Sequence, residues 1–243
     1  MSLFHQYKYV FQMQYLRNSQ FYIFYAMIQI LLAIGIVIGF TYLMPEPDKR
    51  SILYLATGAP TLILIITGLV ILPQQIGVSK SDGYMNFMRT WPVHRSAILG
   101  ADTTLWCLIT LPGIAVSSFI ANWIFHPGYD VSWTVIPAFL MIALTAIGVG
   151  YGFSYALPPN VSMGVSQIVV FGAMMFSPVN FPMERLPEWL QAVHHVLPLY
   201  SMSEIMRGSL AASTFAVGWI HYLNLAIWCL VGYGGAIYIL NRK

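Results

Sequence analysis

Charge-free intervals run 18–45, 51–79, 103–129, 131–183 and 208–241 along the chain. A helix needs about 20 apolar residues to cross the hydrocarbon core of a bilayer, and each interval supplies them. The interval 131–183 is too long for one crossing and breaks at Leu157-Pro158-Pro159-Asn160, so it divides in two. The pattern predicts an all-α integral membrane protein with six transmembrane helices, near 20–44, 51–76, 98–124, 133–157, 161–178 and 216–240, in one domain over 1–243.

Three stretches are patterned but do not span. Residues 3–17 place Leu3, Phe4, Tyr7, Val10, Phe11 and Tyr15 at helical spacing, with Lys8 and Arg17 between them. This predicts an N-terminal amphipathic helix within 1–18 lying in the membrane interface. The aromatic content speaks against the alternative, a frayed polar tail. In the loop Gly77 to Ala97, Tyr84, Phe87, Met88 and Trp91 fall at i, i+3, i+4 and i+7, the apolar stripe of a short helix within 80–92. Asp82 stands near its start and Pro92 stops it. The stripe either packs on its own spans or enters a groove on a partner.

The third stretch is Phe176 to Leu210, FSPVNFPMERLPEWLQAVHHVLPLYSMSEIMRGSL. Trp189, Leu190, Val193, Val196 and Leu197 recur at helical spacing after Pro187, which is tolerated in a first turn; Pro198 ends that helix. It is too short to span. A second short helix, 199–210, puts Glu204 and Arg207 three residues apart, close enough to pair. Residues 179–210 thus read as two extracellular helices forming a shallow cap, of the kind that closes a pathway, with bends at Pro178, Pro182, Pro187 and Pro198.

Composition excludes a soluble domain. Hydrophobic residues make up 58% and charged ones 8%, against about 25% charged in soluble proteins. Lysine and arginine orient the spans, because they accumulate on cytoplasmic loops. With both termini inside, Lys8, Arg17, Lys80, Arg89, Arg95, Arg242 and Lys243 are cytoplasmic, and Lys49, Arg50, Arg185 and Arg207 are outside among most of the acids. The expected location is therefore the cell membrane. The first apolar stretch follows Lys8 and Arg17 without a small-residue cleavage site, which marks a retained span rather than a signal peptide. Cys107 and Cys229 sit inside apolar runs without ligand spacing and read as reduced packing residues. A net charge of +3 gives no reason to expect a nucleic-acid partner.

Little in the sequence carries chemistry. No phosphate-cradling loop occurs, and no Gly-Lys pair exists. His194 and His195 are neighbours, so on a helix they diverge and do not form a metal site. His126 and His221 read as interface anchors. Asp102 is the one acid within a predicted span, and intramembrane carboxylates are functional candidates. It lies near the start of the third span, where headgroup water and the positive helix end also stabilise it, so a structural role is the other reading. No ladder of carboxylates suggests an ion-driven relay. Gln167 and Asn224 are polar positions in spans that either line a route or bond across helices. Gly148, Gly150, Gly152 and Ser154, with Gly232, Gly234 and Gly235, allow close helix approach inside the bundle or between subunits.

KSDGYMNFMRTWPVHRSAILGAD, in which an acid and a glycine lead into a short helix and a Pro-Val turn, resembles the first cytoplasmic loop of ABC-2 type permeases. The stretch Phe176 to Leu210, with its Ser-Pro, Phe-Pro, Leu-Pro and Leu-Pro-Leu elements and closing Ile-x-Arg, resembles the signature after that family's fifth span. The similarity covers essentially the whole chain and departs at Asp82, where the family more often has glutamate. It implies a permease subunit, not itself an enzyme, of an ATP-driven exporter. Two permeases, here two copies of this chain, would meet along the first, second and fifth spans. Two separate ATPase subunits would hold the ATP and magnesium, and the permease would bind no cofactor. Tyr84, Phe87, Met88 and Trp91 would form the coupling helix that enters the ATPase, flanked by Lys80, Asp82 and Arg89. Pro178, Phe181, Pro182, Pro187, Trp189, Glu204 and Arg207 would belong to an extracellular gate. A chain without a charged cavity suits an amphipathic cargo such as an antibiotic or antimicrobial peptide. Export of polysaccharide, lipid or ions by the same architecture, or a non-transporting immunity protein that sequesters a toxin, is the alternative.

Overall fold

The computed structural model describes residues 2–43 and 49–242. The loop acids Glu46 and Asp48, the end of the first predicted span at 44 and Lys243 lie outside the described residues. Among the described residues the secondary structure is helical apart from one isolated bridge between Asp130 and Ala211.

The first helix, α1 (Leu3–Leu43), runs unbroken where an interfacial helix and a separate span were expected. The change of direction is a bend inside it. The Tyr22 hydroxyl donates to the Gln14 carbonyl at 3.1 Å, and the rings of Tyr15 and Tyr22 lie 5.8 Å apart. Residues eight apart on a straight helix are separated by about 12 Å along the axis, too far for a tyrosine reaching back along its own helix. Tyr22 therefore sits inside a bend, and Ser19 loosens the same turn by donating to the Leu16 carbonyl at 3.1 Å.

The next rod is α2 (Lys49–Ile66), a π turn (Thr67–Ile71) and α3 (Leu72–Ser81) without interruption, so helix continues past the expected end at 76. Two prolines shape it. Pro60 cannot donate to the Ala56 carbonyl, and the Tyr129 hydroxyl fills that vacancy at 2.9 Å. Pro73 likewise leaves the preceding turn short of a donor, and the ladder there widens, with the Leu72 N–H bonding Thr67 O. The most apolar stretch of this rod is entirely buried, surrounded by other helices of the same chain. This corrects the implied subunit contact through the second span, which has no free face there.

After a short helix α4 (Tyr84–Arg89) come α5 (Arg95–Phe125), α6 (Val135–Ala156) and α7 (Pro159–Met175). A 3-10 turn (Met183–Arg185) leads to α8 (Glu188–Val196), α9 (Pro198–Leu210) and α10 (Trp219–Asn241). Among the described residues, five helical segments are long and apolar enough to cross a membrane, and α7 is a shorter apolar helix.

Glycine sets the tightest contacts. A Cβ at Gly150 would strike the backbone carbonyl of Gly68, and one at Gly232 the backbone of Gly148. The small residues of α6 thus serve internal packing, whereas Gly234 and Gly235 face open space. Tyr129 against Ala56 and Asp130 against Leu210 gather the 126–134 loop, the start of α2 and α9 at one end. Gln6 accepting from the His94 N–H, and Lys80 reaching Leu157, gather the start of α1 and α4 at the other.

Candidate functional site

The α4 end is built by two turns of opposite hand. Asp82 closes α3, its N–H bonding the Val78 and Lys80 carbonyls, and Gly83 then takes φ 72, a conformation that favours glycine. This reversal delays α4 to Tyr84, so Asp82 ends the preceding helix and does not cap the next. Arg95 secures the other end by donating to the carbonyls of Met88 at 3.1 Å and Arg89 at 2.8 Å.

Six residues of helix present two faces. Met85 and Met88 are buried, Met88 against Val10, Ile98 and Ala101. Met88, next in sequence to Phe87 and so turned away from it round the helix, packs α4 against the bundle rather than sharing the exposed face. Phe87 is 58% exposed. It stands 5.4 Å from the Trp91 ring, with Tyr84 completing the cluster at 6.3 and 6.4 Å. Arg89 is exposed beside them. Lys80 does not flank this surface: its Nζ donates to the carbonyls of Ser154, Tyr155 and Leu157 at 2.5, 3.1 and 2.8 Å. It thereby closes the C-terminal end of α6, where a cation is favoured by the helix dipole.

Behind α4 lies a polar cavity of about 40 Å³. Asp102 lines it and accepts from the Tyr151 hydroxyl at 2.7 Å. Because α5 starts at Arg95, Asp102 sits two turns in, beyond the reach of the helix end. The Tyr151 bond and the cavity stabilise it instead. Across the cavity, Arg17 lays its guanidinium over the Tyr84 ring, 3.4 Å from the centroid. Burial raises the Tyr84 hydroxyl pKa above its ordinary value. Arg17 and Tyr151 belong to this site and were not picked out in the sequence, because nothing in their spacing announces a partner on another helix. Buried Gln29 was missed for the same reason; it donates to Thr67 Oγ1 at 3.1 Å and joins α1 to the π turn.

The opposite end is a packed cap. Arg207 is fully buried, paired with Glu204, donating to the Val179 carbonyl at 2.9 Å and stacked 3.9 Å over the Tyr54 ring. Burial lowers its pKa, with Glu204 opposing. Burial, then Glu204, pushes the neighbouring Tyr200 up to about 12. Residues 177–180, Pro178 included, are buried rather than lying along the surface. Asn180 packs so closely on Gly58 that a Cβ there would strike its Oδ1. Phe181 and Pro182 are half-buried, Pro187 is exposed, and Trp189 is 69% exposed. His194 points inward and donates through Nε2 to the Phe176 carbonyl at 2.9 Å, and burial lowers its pKa. Asn224 and Trp228 donate to the last carbonyls of α8, which makes Asn224 a packing residue. Gln167, unlike Asn224, is exposed, midway along α7.

No group of three or more metal-ligating side chains converges among the described residues. The fold and the two ends together define an all-α, multi-pass membrane protein whose apolar rods carry a short helix at one end and a helical cap at the other. Residues 6–211 match the ABC-2 type transporter family, and the chain belongs to it. It is accordingly a membrane permease component of that transporter class and not itself catalytic. No curated protein matches the chain.

Proposed function

We propose that the chain is the permease subunit of an ATP-driven exporter, with six spans and both termini cytoplasmic, and that α4 is the coupling helix seated in a separate ATPase subunit. The observation that carries this is Phe87, a large aromatic 58% exposed on a six-residue helix whose opposite face is buried. Trp91, Tyr84 and Arg89 surround it. Proteins rarely leave such a patch bare unless a partner covers it. ATP and magnesium belong to the ATPase, and α8 and α9 form the outer gate.

A second copy of the chain completes the pathway. Its seat is the apolar groove of about 650 Å³ between α1 and α7, lined by Ile28, Leu31, Leu32, Gly35, Gly39 and Met174. Gln167 favours α7 as the shared face, since a lone amide is costly against lipid tails and is relieved by a partner or an aqueous route. With little charge in the bundle, the favoured cargo is a drug-like compound or antimicrobial peptide drawn from the bilayer.

The test is ATPase activity of the complex purified in lipid nanodiscs. An ATPase should co-purify with wild type, and Phe87→Ala with Trp91→Ala should release or uncouple it. Purification of the chain alone, unaffected by the double change, would replace the exporter by a sequestering membrane protein.

A further inference from the structure

The polar cavity behind α4 has a second consequence, which rests on the reading of α4 as the coupling helix. Five helices meet there: α1 at its bend, α3, α4, α5 and, through Tyr155, α6. Arg17 and Tyr22 come from the bend, Gln75 and Ser79 from α3, and Asp102 from α5. At about 40 Å³ the space, lined by polar and apolar groups together, exceeds the 10–15 Å³ or so that one water requires. Hydrated charges can shift without breaking a dry, close-packed interface, whereas an apolar core resists displacement.

We propose that Arg17 and Asp102 are positioning residues that transmit displacement of α4 to the spans. Arg17 is held to α4 by its stack on Tyr84. It lines the same small cavity as the Asp102 side chain. Asp102 is in turn fixed to α6 through the Tyr151 hydroxyl. A push on Phe87 and Trp91 therefore moves the Tyr84 ring, the Arg17 guanidinium and the bend of α1 together. The charge opposite Asp102 changes position, and α5 and α6 follow. The remaining side chains on the cavity are neutral amides, hydroxyls, phenols and apolar groups, so these two charges dominate its field.

Arg17→Gln and Asp102→Asn test this in the complex with its ATPase in nanodiscs. The first readout is ATPase affinity. The second is the rate at which a maleimide labels Phe181→Cys in the outer cap, with and without a non-hydrolysable ATP analogue, in a background lacking Cys107 and Cys229. Wild type is expected to change its labelling rate about fivefold with nucleotide. Both variants should keep ATPase affinity within about twofold yet lose most of that change, a separation that a purely structural role would not produce. Should either variant fail to fold, Arg17→Lys and Asp102→Glu keep the charges and should retain part of the response. A full response in the charge-removing variants overturns the proposal and leaves the coupling reading intact. A wild type that binds no ATPase, or shows no nucleotide response, overturns the coupling reading itself and the proposal with it.

Discussion

Arg207, Lys80 and His194 show how much depends on single side chains in a chain with so few polar ones. Arg207 is buried with Glu204, and removing one partner of a buried pair leaves the other uncompensated. Glu204 keeps some exposure, 15%, so the loss in Arg207→Met should be discounted for solvent, to about 2–4 kcal/mol. Arg207→Met with Glu204→Gln should recover part of it, measured by thermal unfolding in detergent. Lys80→Met leaves the carbonyls of Ser154, Tyr155 and Leu157 without their charged donor. Bonds to charged groups contribute about 1.5–3 kcal/mol, and the part-exposed site argues for the low end. His194 gives a pH signature. Its folded-state pKa lies below the ordinary 6.5, so the unfolded chain takes up the proton first. The stability it contributes is complete above pH 6.5 and falls as pH drops from 6.5 toward the folded pKa. The His195 ring and the Phe176 carbonyl are the neighbouring influences. His194→Gln should flatten melting temperature across that window.

Among the elements, the π turn and α6 explain why glycine matters at some positions only. Lipid tails are as apolar as leucine, so helices in a membrane associate through close packing rather than hydrophobic expulsion. Gly150 lies against the Gly68 backbone, which cannot move aside as a flexible side chain would. Gly150→Val should prevent a folded, monodisperse protein, while Gly234→Ala, in open space, should leave the elution profile of wild type. The spans were legible as elements because charge-free length is a one-dimensional property. Their joints were not. The bend of α1 across 14–22 is marked by Tyr22 reaching Gln14, and the start of α4 at Tyr84 is set by the positive φ of Gly83. Each is a local geometry that an apolar stripe does not encode.

At the scale of the molecule, the two ends differ in construction. The α4 end combines exposed aromatics with a polar cavity, and the α8 end buries its charges under a cap. The orientation argued from lysine and arginine makes a direct expectation. In intact cells lacking Cys107 and Cys229, a membrane-impermeant thiol reagent should modify Trp189→Cys without lysis and Phe87→Cys only after lysis. The reverse pattern would turn the protein over and remove the ATPase from α4.

The sequence by itself determined the class of the protein, the positions of the apolar rods, the short helix at one end and the proline-broken cap at the other. These follow from properties carried along the chain: uncharged length, helical periodicity, the bias of basic residues and a family resemblance. Only the tertiary structure decided that α2 has no free face, that Met88 is an anchor and Lys80 a helix clamp, and that Arg17 meets Tyr84 across from Asp102. Those depend on distances between residues far apart in the chain. A charged side chain in or near a membrane must find whichever distant carbonyl, ring or carboxylate the packing brings to it, and no spacing in the sequence names that partner.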